Sequence, residues 1–165
     1  MRKTILFWGG GALSLLLMAS VFSPQKRLIW NRTNSAQTGI YWVQNRVPEH
    51  GDLVLVSALS DQAKWAQTHG FVGDDWPLLK RAAGQSGDQI CRSNDEILIN
   101  EMRVATVMGQ ATRGKRLPEW AGCRVLSNDE VFLLNAHPKS LDGRYFGPTK
   151  IKDLDGVAVL LVEIN

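Results

Sequence analysis

Apolar residues in this chain fall mostly in short runs separated by turn-forming sequences, a pattern typical of β-strands rather than of long helices. The predicted strands cover residues 40–43, 53–56, the segment around Lys80 up to a turn at 84–88, 89–92, 96–100, 124–126, 130–134 and 157–164. Ser-Asn-Asp sequences at 93–95 and 127–129 each lie between two runs, which predicts two hairpins. The pattern therefore predicts a mainly β domain.

One segment has helical character instead. Residues 60–69 begin with Ser60, a residue type that caps helix N-termini, and are followed by Gly70, the type that ends helices. We expect one short helix there. Residues 26–32 are polar and basic and are predicted to be a linker, and 108–122 is a polar excursion with a small apolar tether at 117–120.

The N-terminal segment is the most hydrophobic part of the chain. Residues 4–22 carry no charge and follow Arg2 and Lys3. As a helix they would extend roughly 28 Å, close to the roughly 30 Å hydrocarbon core of a bilayer. A cleaved signal peptide and a retained anchor both fit, and the poor small-residue cleavage site favours the anchor. We expect residues 1–25 to form a transmembrane helix or signal segment and 26–165 to form a domain beyond the membrane.

Composition narrows the function classes. The 165 residues suit one domain, and the net charge of +3 is spread along the chain, so the sequence shows no nucleic-acid footprint. Cys91 and Cys123 are too few for a zinc site. If the domain is exported they can form a disulfide, and otherwise they are small core residues. The histidines at 50, 69 and 137 lack metal-ligand spacing, so no metal or cofactor is predicted.

A serine and a lysine are the most economical candidates for chemistry. Lys80 follows two leucines and precedes a Gly-x-x-Gly-Asp turn, a setting that can desolvate an amine and make it a general base. The alternative is an amphipathic edge strand with Lys80 and Arg81 exposed. Ser35 lies in a loop of small polar residues, where it is either a nucleophile or part of a structural turn. Spacing alone leaves a Ser-His-Asp triad open.

A third stretch, SLDGRYFGP at 140–148, combines turn-forming glycines with Asp142 and Arg144, which are spaced for a local ion pair. A purely structural turn is the alternative. Taken in order, TNSAQTGIY at 33–41, LLKRAAGQSGD at 78–88 and this stretch resemble the type I signal peptidases. The resemblance is nearest to the TraF-type branch of conjugative transfer, whose members process pilin precursors, and it covers nearly the whole chain.

The resemblance implies a role for each matching residue. Ser35 falls at the nucleophile and Lys80 at the general base. The hydroxyl of Thr33, with the Ser35 N–H, falls at the oxyanion donors. Ser140 falls at a serine that orients the lysine. Asp142 falls at an aspartate proposed to support the active site and is counted with Ser35 and Lys80 among the catalytic residues, with Arg144 as its ion-pair partner.

Two departures accompany the resemblance. Gln37 and Thr38 stand where the family often has a proline after the nucleophile. Residues 135–139 read NAHPK where leader peptidases have a Gly-Asp-Asn run. The first bears on the rigidity of the loop, and neither removes a reacting group.

The resemblance implies a signal-peptidase-like fold and a serine endopeptidase in the inner membrane, with its catalytic domain in the periplasm. Its partners would be membrane lipid and an exported precursor, either a pilin or another signal-bearing protein. It would act through an acyl-enzyme, with hydrolysis and pilin cyclisation both open. The alternative is a non-enzymatic, membrane-anchored assembly protein of a secretion apparatus.

Overall fold

The computed structural model describes residues 27–108 and 116–164. These ranges contain eleven strands and two α-helices. The strands are β1 Leu28–Asn31, β2 Gly39–Gln44, β3 Leu53–Val56, β4 Leu78–Gly84, β5 Gln89–Ser93, β6 Glu96–Ile99, β7 Met102–Thr106, β8 Gly122–Val125, β9 Glu130–Leu133, β10 Thr149–Lys150 and β11 Leu154–Glu163. The helices are α1 Asp61–Thr68 and α2 Gly143–Phe146, and a 3-10 turn covers Ile151–Asp153.

The strands form two antiparallel sheets. The larger has seven strands in the order β1-β2-β11-β3-β4-β9-β10, and the smaller has four in the order β7-β6-β5-β8. β4 lies inside the larger sheet, hydrogen-bonded to β3 on one side and to β9 on the other. β4 is therefore an interior strand with a paired strand along each of its edges.

The hydrophobic core lies on both faces of the larger sheet. In β3, Val54 and Val56 pack into one cluster with Ala63 of α1, while Leu55 packs into another around Tyr41. Burial on both faces explains why this strand is continuously apolar instead of alternating. A third cluster joins the smaller sheet to the larger sheet and α2, through residues that include Ile97, Phe132 and Tyr145.

Gly143 allows the one-turn helix α2 to pack closely on β9. A Cβ atom at this position would lie 2.6 Å from the carbonyl oxygen of Leu133 and within 3 Å of the Phe132 ring. Any larger residue would push α2 away from the sheet, and with it Asp142 and Arg144. Glycine is thus required by close backbone approach.

Several predictions from the pattern are confirmed. β3 has the predicted bounds, and β2, β5, β6 and β11 lie where strands were expected. The helix predicted at 60–69 is α1: the Ser60 Oγ accepts the Ala63 N–H at 3.2 Å, and Gly70 has a φ of +69°. The mainly β class is correct, with α2 as a second, very short helix.

Three local predictions are wrong. The runs around the turn at 127–129 do not form a hairpin, because β8 pairs with β5 and β9 pairs with β4 and β10. The predicted linker at 26–32 contains β1, which pairs with β2. The exposed-edge interpretation of Lys80 also fails, because β4 is an interior strand and Lys80 is buried, although Arg81 is exposed.

The predicted membrane segment at 4–22 lies outside the described residues. Within 27–108 and 116–164, none of the helices has the length and apolar character needed to cross a bilayer.

Candidate active site

The loop that carries Ser35 is held by Asn31 at the end of β1. The Asn31 side-chain amide donates to three backbone carbonyls of the loop, at distances of 3.0 to 3.1 Å. These carbonyls belong to Thr33, Ala36 and Gln37. Because Asn31 is itself buried, one side chain at a strand end fixes the path of the chain on both sides of Ser35.

The hydroxyls of Thr33 and Ser35 lie 3.1 Å apart. The Thr33 hydroxyl also donates to Asn31 Oδ1 at 2.8 Å. A hydroxyl has a single proton, so with that proton directed at Asn31 the Thr33 oxygen accepts the proton of Ser35. The Thr33 hydroxyl must therefore rotate away from Asn31 before it can donate to an oxyanion.

Lys80 lies on the apolar face of β4. Strand periodicity places it on the same face as Leu78 and Ala82, opposite Val54 of β3. All three of these apolar neighbours belong to one buried cluster, and Lys80 is only 6% exposed. Its Nζ donates to the Ser140 Oγ at 3.1 Å.

Burial makes this lysine weakly basic. Desolvation lowers the pKa of Lys80 from 10.5 to about 8, and the positive charge of Arg144 acts in the same direction. The carboxylate of Asp142 acts in the opposite direction but is outweighed. A large fraction of Lys80 is therefore neutral at moderately alkaline pH.

Asp142 and Arg144 form a buried ion pair at the start of α2. The Arg144 Nη1 lies 2.5 Å from Asp142 Oδ2, and neither side chain is more than 4% exposed. The other carboxylate oxygen of Asp142 accepts the Arg144 N–H and so caps the helix. The backbone of Asn135 joins this pair: its N–H donates to Asp142 at 3.0 Å and its carbonyl accepts from Arg144 at 2.9 Å.

Ser35, Lys80 and Ser140 share the wall of one groove with a volume of about 730 Å³. Trp30 and Trp76 also line it, and the Arg32 guanidinium lies 5.2 and 5.1 Å from their ring centres. The rest of the lining combines apolar residues of β1 and β4 with residues of the 71–77 and 137–141 loops. Such a groove can hold a peptide with a carbonyl carbon near the Ser35 hydroxyl.

A second cavity of about 440 Å³ meets the first at Asn34 and Ser35. It is lined by charged and polar side chains, among them Arg81 and Glu163, while His137 lines both cavities. Asp142 lines neither cavity. Its carboxylate is instead bonded to Arg144 and to the Asn135 N–H.

The structure gathers the residues singled out from the sequence into one region, with one exception. Cys91 and Cys123 form a disulfide between β5 and β8, in the smaller sheet. Asn31 and Asn135 were not predicted. The side chain of Asn135 bonds backbone groups of β4 that only the fold brings near, whereas the partners of Asn31 are local but lie beside a segment interpreted as a linker. Within 27–108 and 116–164, no three His, Cys, Asp or Glu side chains are grouped as metal ligands.

Comparison with known sequences identifies the family. A sequence model described as signal peptidase, peptidase S26, matches residues 2–163. The chain belongs to this family. Membership of this family supports the conclusion that the chain is a serine peptidase.

The comparisons also give individual proteins that are similar to the chain. Two proteins named plasmid transfer protein TraF, both from Escherichia coli, are similar to the chain. One is 29% identical over 155 residues, covering 85% of this chain and 84% of that protein. The other is 29% identical over 152 residues, covering 84% and 83%. A signal peptidase I structure from Enterococcus faecalis aligns with 16% identity over 69% of this chain and 98% of its own, with a TM-score of 0.40.

Proposed function

We propose that this peptidase cleaves exported precursor proteins through a Ser35–Lys80 dyad. The observation that carries the proposal is the state of Lys80: a lysine with 6% exposure, in the wall of the groove that also contains Ser35. A buried amine is costly for folding and is of no use to solubility. In its neutral form this amine can be the general base that a serine needs nearby to become a nucleophile.

The chemistry follows from these two side chains. Neutral Lys80 Nζ takes the proton of the Ser35 hydroxyl while the oxygen attacks the scissile carbonyl carbon. The resulting ammonium then gives its proton to the departing amine as the peptide C–N bond breaks, leaving an acyl ester on Ser35. Lys80, neutral again, takes a proton from a water that attacks the ester carbonyl, and returns it to the Ser35 oxygen as the ester C–O bond breaks. If a peptide amine attacks in place of water, a new peptide bond forms.

Other residues have supporting roles in this proposal. Ser140 accepts a hydrogen bond from Lys80 and so directs its Nζ within the groove. The backbone N–H of Ser35 and the rotated hydroxyl of Thr33 stabilise the oxyanion, each donor contributing roughly 3 kcal/mol. Asp142 and Arg144 brace the Ser140 loop without touching substrate.

The location and substrate belong to the proposal as well. Residues 1–25 would anchor the protein in the inner membrane, with the domain from residue 26 onward in the periplasm, where precursor cleavage sites emerge. The two relatives are plasmid transfer proteins, which supports a precursor that belongs to a conjugative transfer system, such as a pilin. The disulfide between Cys91 and Cys123 is consistent with an oxidising compartment.

The test uses membranes that carry the full chain together with a candidate pilin precursor, whose mass is followed over time. We expect Ser35→Ala and Lys80→Ala each to abolish processing, a loss of at least about a thousandfold, since each removes a reacting group. Matched controls are Ser86→Ala and Lys64→Ala, which change an exposed serine and an exposed lysine outside both cavities. Both controls should process the precursor at the rate of the wild type.

The same samples decide the remaining points. A product lighter than the hydrolysed one by one water indicates that an amine, not water, resolved the acyl-enzyme. Protein that stays with the lipid after an alkaline wash supports the anchor, and protein released by the wash contradicts it. Processing that survives either site variant, with the variant folded, contradicts the dyad. Processing that survives both variants favours the non-enzymatic, membrane-anchored assembly protein.

A further inference from the structure

The side chain of Asn135 holds the backbone of β4 on both sides of Lys80. Its Oδ1 accepts the N–H of Arg81 at 2.9 Å, and its Nδ2 donates to the carbonyl of Leu79 at 3.1 Å. These are the residues immediately before and after the lysine. Asn135 is 3% exposed, so the two bonds are shielded from water.

These two bonds take the place of strand pairing along the part of β4 that β9 does not reach. β9 ends at Leu133, and the last backbone contact to β4 is from the Leu134 N–H to the Arg81 carbonyl, at 2.8 Å. Beyond this point, β4 would expose an unpaired N–H and an unpaired carbonyl beside Lys80. Because a side-chain amide has the same donor and acceptor as a peptide group, Asn135 completes the ladder where the neighbouring chain turns away.

The backbone of the same residue is tied to the opposite side of the site. Its N–H and carbonyl are bonded to Asp142 and Arg144, the pair that braces the loop of Ser140. Asn135 thus connects the strand that carries the Lys80 amine to the loop that carries its hydrogen-bond acceptor. All four polar groups of the residue are used.

We propose that Asn135 is a positioning residue that fixes Lys80 relative to Ser140 and Ser35. The role rests on the function proposed above, because it concerns the orientation of the general base. Asparagine is specifically suited to it. Aspartate would place an acceptor against the Leu79 carbonyl and add a negative charge near Lys80, and alanine would leave both backbone groups unpaired.

The test compares Asn135→Ala with wild-type full-length protein in detergent micelles, in two measurements. The first is the turnover of a fluorogenic peptide that spans the cleavage site of the precursor. We expect kcat per folded molecule to fall by about 10- to 100-fold, with KM within about twofold, because the misplaced amine impairs the reaction more than binding.

The second measurement needs no substrate. Lysine labelled with ¹³C at the Cε position reports the titration of Lys80, whose signal is identified by its absence in Lys80→Arg. Loosening β4 admits water to the amine, so the titration midpoint should move from about 8 in the wild type toward the ordinary 10.5 in Asn135→Ala. A role confined to stability would lower the melting temperature and leave this midpoint unchanged.

The matched control is Asn100→Gly. The Asn100 side chain also bonds a backbone N–H, that of Gln89, but it lies beside the smaller sheet, and its φ of 49° suits glycine. This variant should keep the wild-type kcat and Lys80 midpoint. If Asn135→Ala does not fold, Asn135→Ser replaces it, since a hydroxyl retains at most part of the bridge, and it should give the same changes at smaller size.

The outcomes are separable. A wild-type protein that leaves the peptide uncut counts against the proposed function, and the Lys80 titration then decides the role of Asn135 alone. Wild-type kcat per folded molecule together with a wild-type midpoint, in whichever of the two Asn135 variants folds, overturns the proposal.

Discussion

At the scale of single residues, burial of Lys80 lowers the stability of the fold but makes its amine a better candidate for a general base. The folded chain surrounds an amine with Leu78, Ala82 and Val54, where a methionine would pack without cost. The pKa of Lys80 is about 8 in the folded protein and 10.5 for an exposed lysine. The unfolded chain therefore holds this proton more tightly, so protonation opposes folding below pH 10.5 and does so fully below pH 8.

This loss of stability predicts that Lys80→Met stabilises the protein. At pH 7 the free energy of unfolding should rise by about 2 kcal/mol, a value reduced from the full effect of the pKa difference because the bond to Ser140 is lost. The gain should shrink as pH rises from 8 to 10.5, where wild-type Lys80 also becomes neutral in the unfolded chain. Urea unfolding at pH 7 and pH 10.5 measures both values.

Lys64→Met is the control for that comparison, since Lys64 lies exposed on α1. It should change the free energy of unfolding little at either pH. A Lys80→Met protein less stable than the wild type at pH 7 would show that burial does not oppose the charge on this amine.

Thr33 shows a limit of reasoning from sequence at the same scale. Its position two residues before Ser35 predicts an oxyanion donor by resemblance, but the structure directs its proton to Asn31. Which group a hydroxyl donates to depends on the acceptors that folding places nearby. The strand-end position of Asn31 was not visible in a segment that reads as a polar linker.

At the scale of elements, local sequence signals predicted whether a segment forms a helix or a strand, but they did not predict which strands pair with each other. Ser60 and Gly70 mark the ends of α1 because capping is satisfied within a few residues. The turn at 127–129 separates β8 from β9, but the two strands enter different sheets. Pairing is decided by the partner strand, and no local pattern in β8 indicates β5.

The strand β1 was missed for a related reason. It is an edge strand with Leu28 and Trp30 largely exposed, flanked by basic residues, so its sequence lacks the alternation of a half-buried strand. Only its pairing with β2 makes it a strand. Because β1 supplies Asn31 and one wall of the groove, this omission also hid part of the site.

A disulfide between Cys91 and Cys123 joins β5 to β8 in the smaller sheet. These residues are paired across β5 and β8 and are 32 residues apart in sequence. Closing a loop of this size restricts the unfolded chain, and replacing both cysteines with alanine should lower the free energy of unfolding by about 3 kcal/mol. Denaturant titration of the double variant measures the loss, and wild-type protein under reducing conditions should match it.

Peptidase activity of the folded double variant should stay within about twofold of the wild type. The described lining of the groove comes from the larger sheet and its loops, away from this disulfide. A large loss of activity in the folded double variant would show that the smaller sheet positions the site. A physical link exists, because Arg92 of β5 donates a hydrogen bond to the carbonyl of Arg144.

At the scale of the whole molecule, the mainly β fold class and a set of candidate residues could be predicted, while two residues that support the candidate site, Asn31 and Asn135, could not. Short apolar runs predicted a β domain, and three motifs in order pointed to Ser35, Lys80 and the 140–148 stretch. The fold brings these distant segments to one groove. The contribution of Asn135 arises only because β9 ends beside β4, and that of Asn31 was hidden because β1 was not predicted as a strand.

Activation of Ser35 by a neutral Lys80 is tested most directly by the pH dependence of kcat/KM for precursor cleavage. With the pKa of Lys80 at about 8, the rate should rise about tenfold per pH unit from pH 5 and level off above pH 8. Serine at the nucleophile does not itself titrate in this range. A profile that stays flat from pH 5 to pH 9 would contradict the account.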